Sequence, residues 1–130
     1  MRKEKAMVKK IIVSELAGIR AAVTETIGDA REHGLVSEEK TFDIKLSLNE
    51  LLTNSVKYSG TGSAVLTYCF REGFFCCSIV DNGRGFESSE LRCSELYEES
   101  GRGVFIVDCI ADELRYNKKG NGVYLRIHLD

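Results

Sequence analysis

The spacing of the apolar residues changes along this chain, and that change limits the possible folds more than any other feature. Near the N terminus, apolar residues recur at steps of three and four from Leu16 to Ala30, which predicts an amphipathic helix ended by Gly34. At the C terminus, apolar and polar residues alternate from Val123 to Asp130, which predicts a half-buried strand. The chain must therefore combine helices and a sheet around one core.

The intervening segments supply further elements. Ser37 is placed to cap a second helix that ends near Tyr58, and Glu72-Gly73 is placed to join two strands. The sequence also predicts an early strand at Lys9–Ser14, and it gives the two joined strands the bounds Ala64–Arg71 and Phe74–Val80. A mobile loop is predicted at Glu87–Ser100, followed at Gly103–Leu114 by a third helix that is apolar on nearly every side and therefore deeply packed. The chain is predicted to close with a hairpin whose turn lies near residues 120–122.

The resulting order, β-α-α-β-β-α-β-β, predicts the fold class. Antiparallel hairpins with helices on one side give an α/β (α+β) two-layer sandwich. We expect a mixed, mostly antiparallel sheet of about five strands, covered on one face by three helices. The 130 residues contain no proline, linker or internal repeat, so residues 1–130 are predicted to form a single domain.

Composition excludes several classes of function. Eighteen basic and twenty acidic residues give a formal charge of -2, which argues against direct nucleic-acid binding. No apolar run approaches the roughly 20 residues of a membrane span. The five cysteines are odd in number and contain no C-x-x-C, which favours free thiols in a reducing cytoplasm over disulfides or zinc.

A first candidate site lies on the second helix. Glu50 and Asn54 are four residues apart and therefore share one helix face. Their oxygens could hold Mg²⁺ and orient a nucleophile, because hard cations prefer oxygen ligands. The simpler interpretation is a solvated polar stripe, which would also include Asp43, Ser47 and Lys57.

A second candidate follows the second strand of the central pair. In Asp81-Asn82-Gly83-Arg84-Gly85, the carboxylate of Asp81 could accept a hydrogen bond from the amino group of adenine, and Gly83 and Gly85 would let a ligand approach closely. Taken alone, the same residues are equally typical of a turn.

A third candidate opens the apolar helix. In Gly101-Arg102-Gly103, backbone N–H groups and one guanidinium could bind phosphate oxygens. A glycine-flanked helix start is common, so this motif carries little weight by itself.

Together, the three motifs are far more specific. A Glu-x-x-x-Asn helix, Asp-x-Gly-x-Gly after a strand, and Gly-x-Gly at a helix start resemble the N, G1 and G2 boxes of the GHKL (Bergerat-fold) ATPase superfamily. The resemblance extends from about residue 10 to the C terminus. It implies the histidine-kinase-like ATPase fold.

The resemblance also implies roles for particular residues. Glu50 would be the catalytic base or water-orienting group, and Asn54 would bind Mg²⁺. The other predicted nucleotide contacts are Asp81, at the adenine amino group; Gly83 and Gly85, which shape the pocket; and Gly101, Arg102, Gly103 and Lys57, at the phosphates. The cofactors would be ATP and Mg²⁺. Gly122-Val123 stands where relatives often carry a threonine that supports adenine recognition.

Within the superfamily, the short chain is most similar to stand-alone anti-sigma factors with serine-protein kinase activity. The stretch from Gly101 to Val107, followed by Ala111 to Leu114, looks like the G2 box and next helix of that family. The resemblance implies an anti-sigma factor antagonist or a sigma factor as partner, and a possible homodimer. Two alternatives stay open: a nucleotide-gated sigma-factor-binding module without kinase activity, and an orphan histidine-kinase-type catalytic domain, which Asn54 to Ser59 resembles.

Overall fold

The computed structural model describes residues 8–35, 37–58, 62–81, 101–117 and 121–129, with the backbone alone for Tyr58 and residues 101–103. Within these residues, eight elements follow one another in the order predicted from the sequence. They are strand β1 (Lys9–Val13), helices α1 (Ala17–Glu32) and α2 (Glu38–Tyr58), strands β2 (Ala64–Arg71) and β3 (Phe74–Asp81), helix α3 (Gly101–Ile110), and strands β4 (Glu113–Tyr116) and β5 (Gly122–His128).

The five strands form one sheet in the order β1-β2-β3-β5-β4. All four neighbouring pairs are antiparallel. The predicted two-layer α+β sandwich, with a mostly antiparallel five-stranded sheet and three helices, is therefore confirmed.

The core lies between the helices and one face of the sheet. Side chains alternate between the two faces of a strand, so only every second residue of β2, β3 and β5 enters this core. The fully enclosed side chains include Tyr68, Phe75, Leu66, Ile79, Leu125 and Ile127 from the strands, and Ile44, Leu48, Leu51 and Leu52 from α2. Helix α2 packs against α1, α3 and three of the strands, which makes it the central helix.

The ends of the first two helices follow the predicted signals. Helix α1 stops at Glu32, and Gly34 adopts φ = 114°, a left-handed conformation that favours glycine. Ser37 caps α2, because the backbone N–H of Lys40 donates to the Ser37 hydroxyl oxygen at 3.1 Å.

The turn between β2 and β3 is the predicted pair Glu72-Gly73. Both residues have positive φ, 55° for Glu72 and 81° for Gly73. Two successive positive φ values match the right-handed twist of the flanking strands, so the turn sets the hairpin register, in which Arg71 pairs with Phe74.

The predicted extent of the third helix was wrong at its C-terminal end. Helix α3 ends at Ile110, whereas the sequence pattern extended it to Leu114. Asp112 leaves the helix because its N–H donates to the carbonyl of Arg126 at 2.9 Å, and its carboxylate accepts the N–H of His128 at 2.7 Å. These bonds to β5 turn the following residues into strand β4.

The prediction that this helix is deeply packed was also wrong. Phe105 is 51% exposed and Ile106 is 43% exposed, and Cys109 is exposed as well. Among the described side chains of α3, Val107 alone is fully buried. The helix packs mainly against α2 and β4 at the margin of the core, so only one line of its side chains is enclosed.

A polar contact ties the first strand to the core. Tyr68 on β2 donates its hydroxyl to Asp29 on α1 at 2.5 Å, and the ammonium of Lys9 on β1 lies 2.9 Å from the same carboxylate oxygen. The hydrogen bonds from Tyr68 and then Lys9 hold the pKa of Asp29 below its ordinary value. One carboxylate therefore links three elements.

Replacing Tyr68 with phenylalanine should lower the free energy of unfolding by about 1–2 kcal/mol at neutral pH, because the hydrogen bond to the partly buried carboxylate of Asp29 is lost. A lowered carboxyl pKa stabilises the fold above the ordinary aspartate pKa, and this contribution disappears as pH falls through the lowered value. The difference between Tyr68→Phe and the unaltered chain should therefore shrink in acid. Denaturant unfolding across pH measures it.

An Asp29→Asn background provides the control for this prediction. In that background the carboxylate is absent, so Tyr68→Phe should show no acid-dependent change in its effect on unfolding. A pH dependence of equal size in both backgrounds would mean that Asp29 is not the titrating partner.

Candidate functional site

Helix α2 sets the positions of Glu50 and Asn54. Leu48, Leu51 and Leu52 of the same helix are at most 1% exposed and face the core. The helical repeat then turns Glu50 and Asn54 to a half-buried face at the margin of the core, one turn apart. The carboxylate and the amide thus share a face, as predicted.

This face is not simply solvated. Ser47, predicted as part of a polar stripe, is completely buried. The side-chain oxygens Asn54 Oδ1 and Ser47 Oγ are both buried, and neither has a hydrogen-bond partner in the part of the chain that the structure describes. Because a buried acceptor without a partner is costly, Asn54 Oδ1 is suited to a ligand that supplies a donor or a cation.

Asp81 is the last residue of β3 and is 5% exposed. Its backbone N–H donates to the carbonyl of Asn121 at 2.9 Å. The Asn121 side-chain amide in turn lies 3.4 Å from the Asp81 carbonyl oxygen. The bonds to Asn121 hold the backbone of Asp81 in place at the end of β3, and a buried carboxylate on a fixed backbone is suited to recognising one polar edge of a ligand.

Two asparagines that the sequence motifs did not single out hold this end of the sheet. The side-chain amide of Asn117 donates to Asn121 Oδ1 at 2.8 Å, and the N–H of Asn121 donates to Asn117 Oδ1 at 3.1 Å. This reciprocal pair braces the residue that contacts the backbone of Asp81. The sequence signal that could have identified the pair is two asparagines four residues apart, the second of which is the middle residue of Gly-Asn-Gly.

Gly122 begins the segment Gly122-Val123, where the resemblance described above leads us to expect a threonine. A Cβ atom added there would lie 2.7 Å from Asn117 Nδ2 and 3.4 Å from Val80 Cγ2. The space beside the glycine is thus filled by the amide of Asn117, and a threonine would not fit without moving it.

The phosphate-binding candidates lie at two helix ends. Residues 101–103 form the first turn of α3, as predicted, where backbone N–H groups have no partner within the helix. Lys57 is exposed in the last turn of α2, which packs against α3. The predicted contacts Gly83 and Gly85, and the predicted loop Glu87–Ser100, lie outside the described residues.

A separate groove of about 340 Å³ opens on the other face of the sheet. It is lined by Ser78, Val80, Arg115, Tyr116, Asn117, Gly122, Val123 and Tyr124. Its lining contains none of the nucleotide residues predicted from the sequence, and it is on the side of the strands away from α2. Among the described residues, the groove thus shares Asn117 and Gly122 with the end of the sheet that supports Asp81, but no predicted nucleotide contact lines it.

The assembled features have a consistent chemistry. A carboxylate and an amide oxygen share one face of α2, a buried aspartate ends β3, and α3, which begins at residues 101–103, packs against α2. The carboxylate of Glu50 is suited to polarising a hydroxyl or water, and the amide oxygen of Asn54 is suited to holding a hard cation. The carboxylate of Asp81 can accept a hydrogen bond from an amino group, and the first turn of α3 is suited to binding anionic oxygens.

Comparison with known proteins agrees with this chemistry. Residues 12–127 match the family described as the histidine kinase-like ATPase domain. The chain belongs to that family, which implies that it binds ATP. No curated protein matched the chain significantly. In the described residues, none of the helices combines the length and the apolar character that crossing a membrane requires.

Gly122→Ala should lower the free energy of unfolding by about 1–3 kcal/mol, because the new methyl group collides with the Asn117 amide and breaks the asparagine pair. The cost should be smaller in an Asn117→Ala background, where the colliding atoms are gone. Gly28→Ala is the matched control: its Cβ meets nothing within 4 Å, so helix propensity should make it neutral or stabilising by up to about 1 kcal/mol. Thermal unfolding of the four variants checks both expectations.

Proposed function

We propose that this chain is an ATP-binding anti-sigma regulatory factor that phosphorylates a serine or threonine of a small anti-sigma factor antagonist. The observation that carries the proposal is Glu50 one turn before Asn54, whose buried acceptor oxygen has no partner among the described residues. A module that only bound nucleotide would have little use for a carboxylate beside that oxygen.

The residues present fit ATP and Mg²⁺. Asn54 Oδ1 is a buried neutral oxygen without a partner in the described part of the chain, which suits Mg²⁺ better than a softer metal. Asp81 is buried and fixed through its backbone, which suits the amino group of adenine. Bound ATP would supply the γ-phosphoryl group for transfer.

In the proposed phosphoryl transfer, the residues of the chain would have separate roles. Glu50 accepts or orients the proton of the attacking hydroxyl, and its half-buried position keeps it close to the margin where a partner's side chain can enter. The N–H groups of residues 101–103, with Arg102 and Lys57, bind anionic oxygens. Gly83 and Gly85 allow the chain to approach the base.

The first test replaces Glu50 with glutamine, which keeps the shape of the side chain and removes the base. Transfer of labelled phosphate from ATP to a small antagonist protein should fall by about a hundredfold or more, whereas ATP affinity should change little. Glu39→Gln, an exposed glutamate in the first turn of the same helix, is the matched control and should leave transfer unchanged. An undiminished transfer rate in Glu50→Gln would remove the role assigned to Glu50.

The second test concerns Asn54 and Asp81. Asp81→Asn should abolish ATP binding with or without Mg²⁺, because the acceptor for the adenine amino group becomes a donor on one side. Asn54→Ala should weaken ATP binding only when Mg²⁺ is present. The ATP affinity of this variant should therefore be the same with and without a metal chelator. Titration calorimetry of both variants, with and without the metal, separates the two roles; equal losses in both conditions for Asn54→Ala would contradict metal binding there.

The same reagents discriminate the alternatives. A partner retained on the chain in the presence of ATP or ADP, without phosphate transfer, would identify a nucleotide-gated sigma-factor-binding module. Phosphate that is transferred but lost in acid would identify phosphohistidine, and therefore an orphan histidine-kinase-type domain. Acid-stable phosphate on the small antagonist supports the proposal. Size-exclusion chromatography with light scattering tests the proposed homodimer.

A further inference from the structure

Two cysteines face each other on the open side of the sheet. Cys69 on β2 and Cys76 on β3 are direct partners in the antiparallel register. The adjacent pair Tyr68 and Cys77 is buried in the core, and successive side chains alternate between faces. The thiols of Cys69 and Cys76 therefore lie on the face away from the helices, where both are half-buried and free.

The backbone spacing of this pair suits a covalent bond. Directly opposite residues in an antiparallel pair have Cα atoms about 4.5 or about 5.5 Å apart, depending on the hydrogen-bonding pattern. Disulfides span Cα separations of about 4.4–6.8 Å, so the Cα spacing of either pattern lies within the range that a disulfide bridges. The two sulfurs already interact: burial and then Cys76 raise the pKa of the Cys69 thiol, and a hydrogen bond with Cys76 contributes.

We propose that Cys69 and Cys76 form a reversible disulfide between β2 and β3 by exchange with a small anionic disulfide such as glutathione disulfide. One cysteine, as the thiolate, attacks a sulfur of the small disulfide, whose S–S bond breaks and releases one small thiol. The other cysteine then attacks the mixed disulfide and releases the second small thiol. The two protein thiols are oxidised, the small disulfide is reduced to two thiols, and each released thiolate takes up one of the protons lost.

The charges around the pair favour an anionic reagent. Arg71 follows Cys69 by two residues on the same strand face, and Arg126 on β5 is the register partner of Cys76. Glu113 offsets part of this charge, because its carboxylate lies 3.5 Å from Arg126 Nε and 2.6 Å from Arg115 Nε. Arg71 is exposed and available to the carboxylates of glutathione.

The other described cysteines are placed differently. Cys77 is 3% exposed and faces the core, so a small disulfide has little access to its sulfur. Cys109 is exposed on α3 and so can be modified alone. Cys93 lies outside the described residues. Only an experiment that maps each cysteine can therefore test the pair.

The test uses the full chain in glutathione redox buffers, followed by acid quenching, alkylation of the remaining thiols and peptide mapping by mass spectrometry. We expect one peptide pair joined through Cys69 and Cys76, with the loss of two free thiols and full recovery after reduction. In Cys69→Ser the pair cannot close, so Cys76 should carry glutathione instead. Cys109→Ser is the matched control and should form the Cys69–Cys76 bond normally.

Three outcomes would overturn the proposal. They are full alkylation of Cys69 and Cys76 under conditions that modify Cys109, separate glutathione adducts on both residues of the unaltered chain, and cross-links of either residue to Cys93 or Cys109. Mapping of the unaltered chain gives this answer by itself, so the test does not depend on the folding of the serine variants.

Discussion

Helix α2 packs its apolar side against the sheet and against the other two described helices, and this burial sets most of the remaining geometry. Ile44, Leu48, Leu51 and Leu52 fix the rotation of the helix, since turning it would expose several leucine-sized side chains, each worth about 1.5–3 kcal/mol when buried. With that rotation fixed, the side of the helix that carries Glu50 and Asn54 is fixed as well. The same leucines that stabilise the domain therefore orient the side chains proposed to take part in its chemistry.

The elements that could be predicted are those whose signals are local. Gly34, Ser37 and Glu72-Gly73 each act through their own backbone or a neighbouring N–H, and each ended or began an element as expected. The course of the chain after Ile110 could not be read this way, because Asp112 is held by hydrogen bonds to Arg126 and His128 on another strand. The exposure of Phe105 and Ile106 was missed for a related reason: an apolar helix at the edge of a core looks the same in sequence as one at its centre.

The features of the candidate site also fall into those set by the local sequence and those set by neighbours in the fold. The shared helix face of Glu50 and Asn54 follows from their spacing, and the position of Asp81 at a strand end follows from the apolar run before it. The unpartnered oxygen of Asn54 and the bracing of Asp81 by Asn121 depend on neighbours brought in by the fold. Gly122 illustrates the difference well, since its need for glycine arises from the Asn117 side chain five residues earlier.

Strand β1 has a consequence for how the molecule opens. It is a five-residue strand at the edge of the sheet, where β2 is its only partner among the described strands, and Ile12 on it is 68% exposed. Lys9 ties this strand to α1 through ion pairs with Asp29 and Glu25, and its ammonium is partly exposed and therefore open to screening by salt. Local unfolding should begin there, with the amides of β1 exchanging with solvent before those of β3, and raised ionic strength should widen that gap.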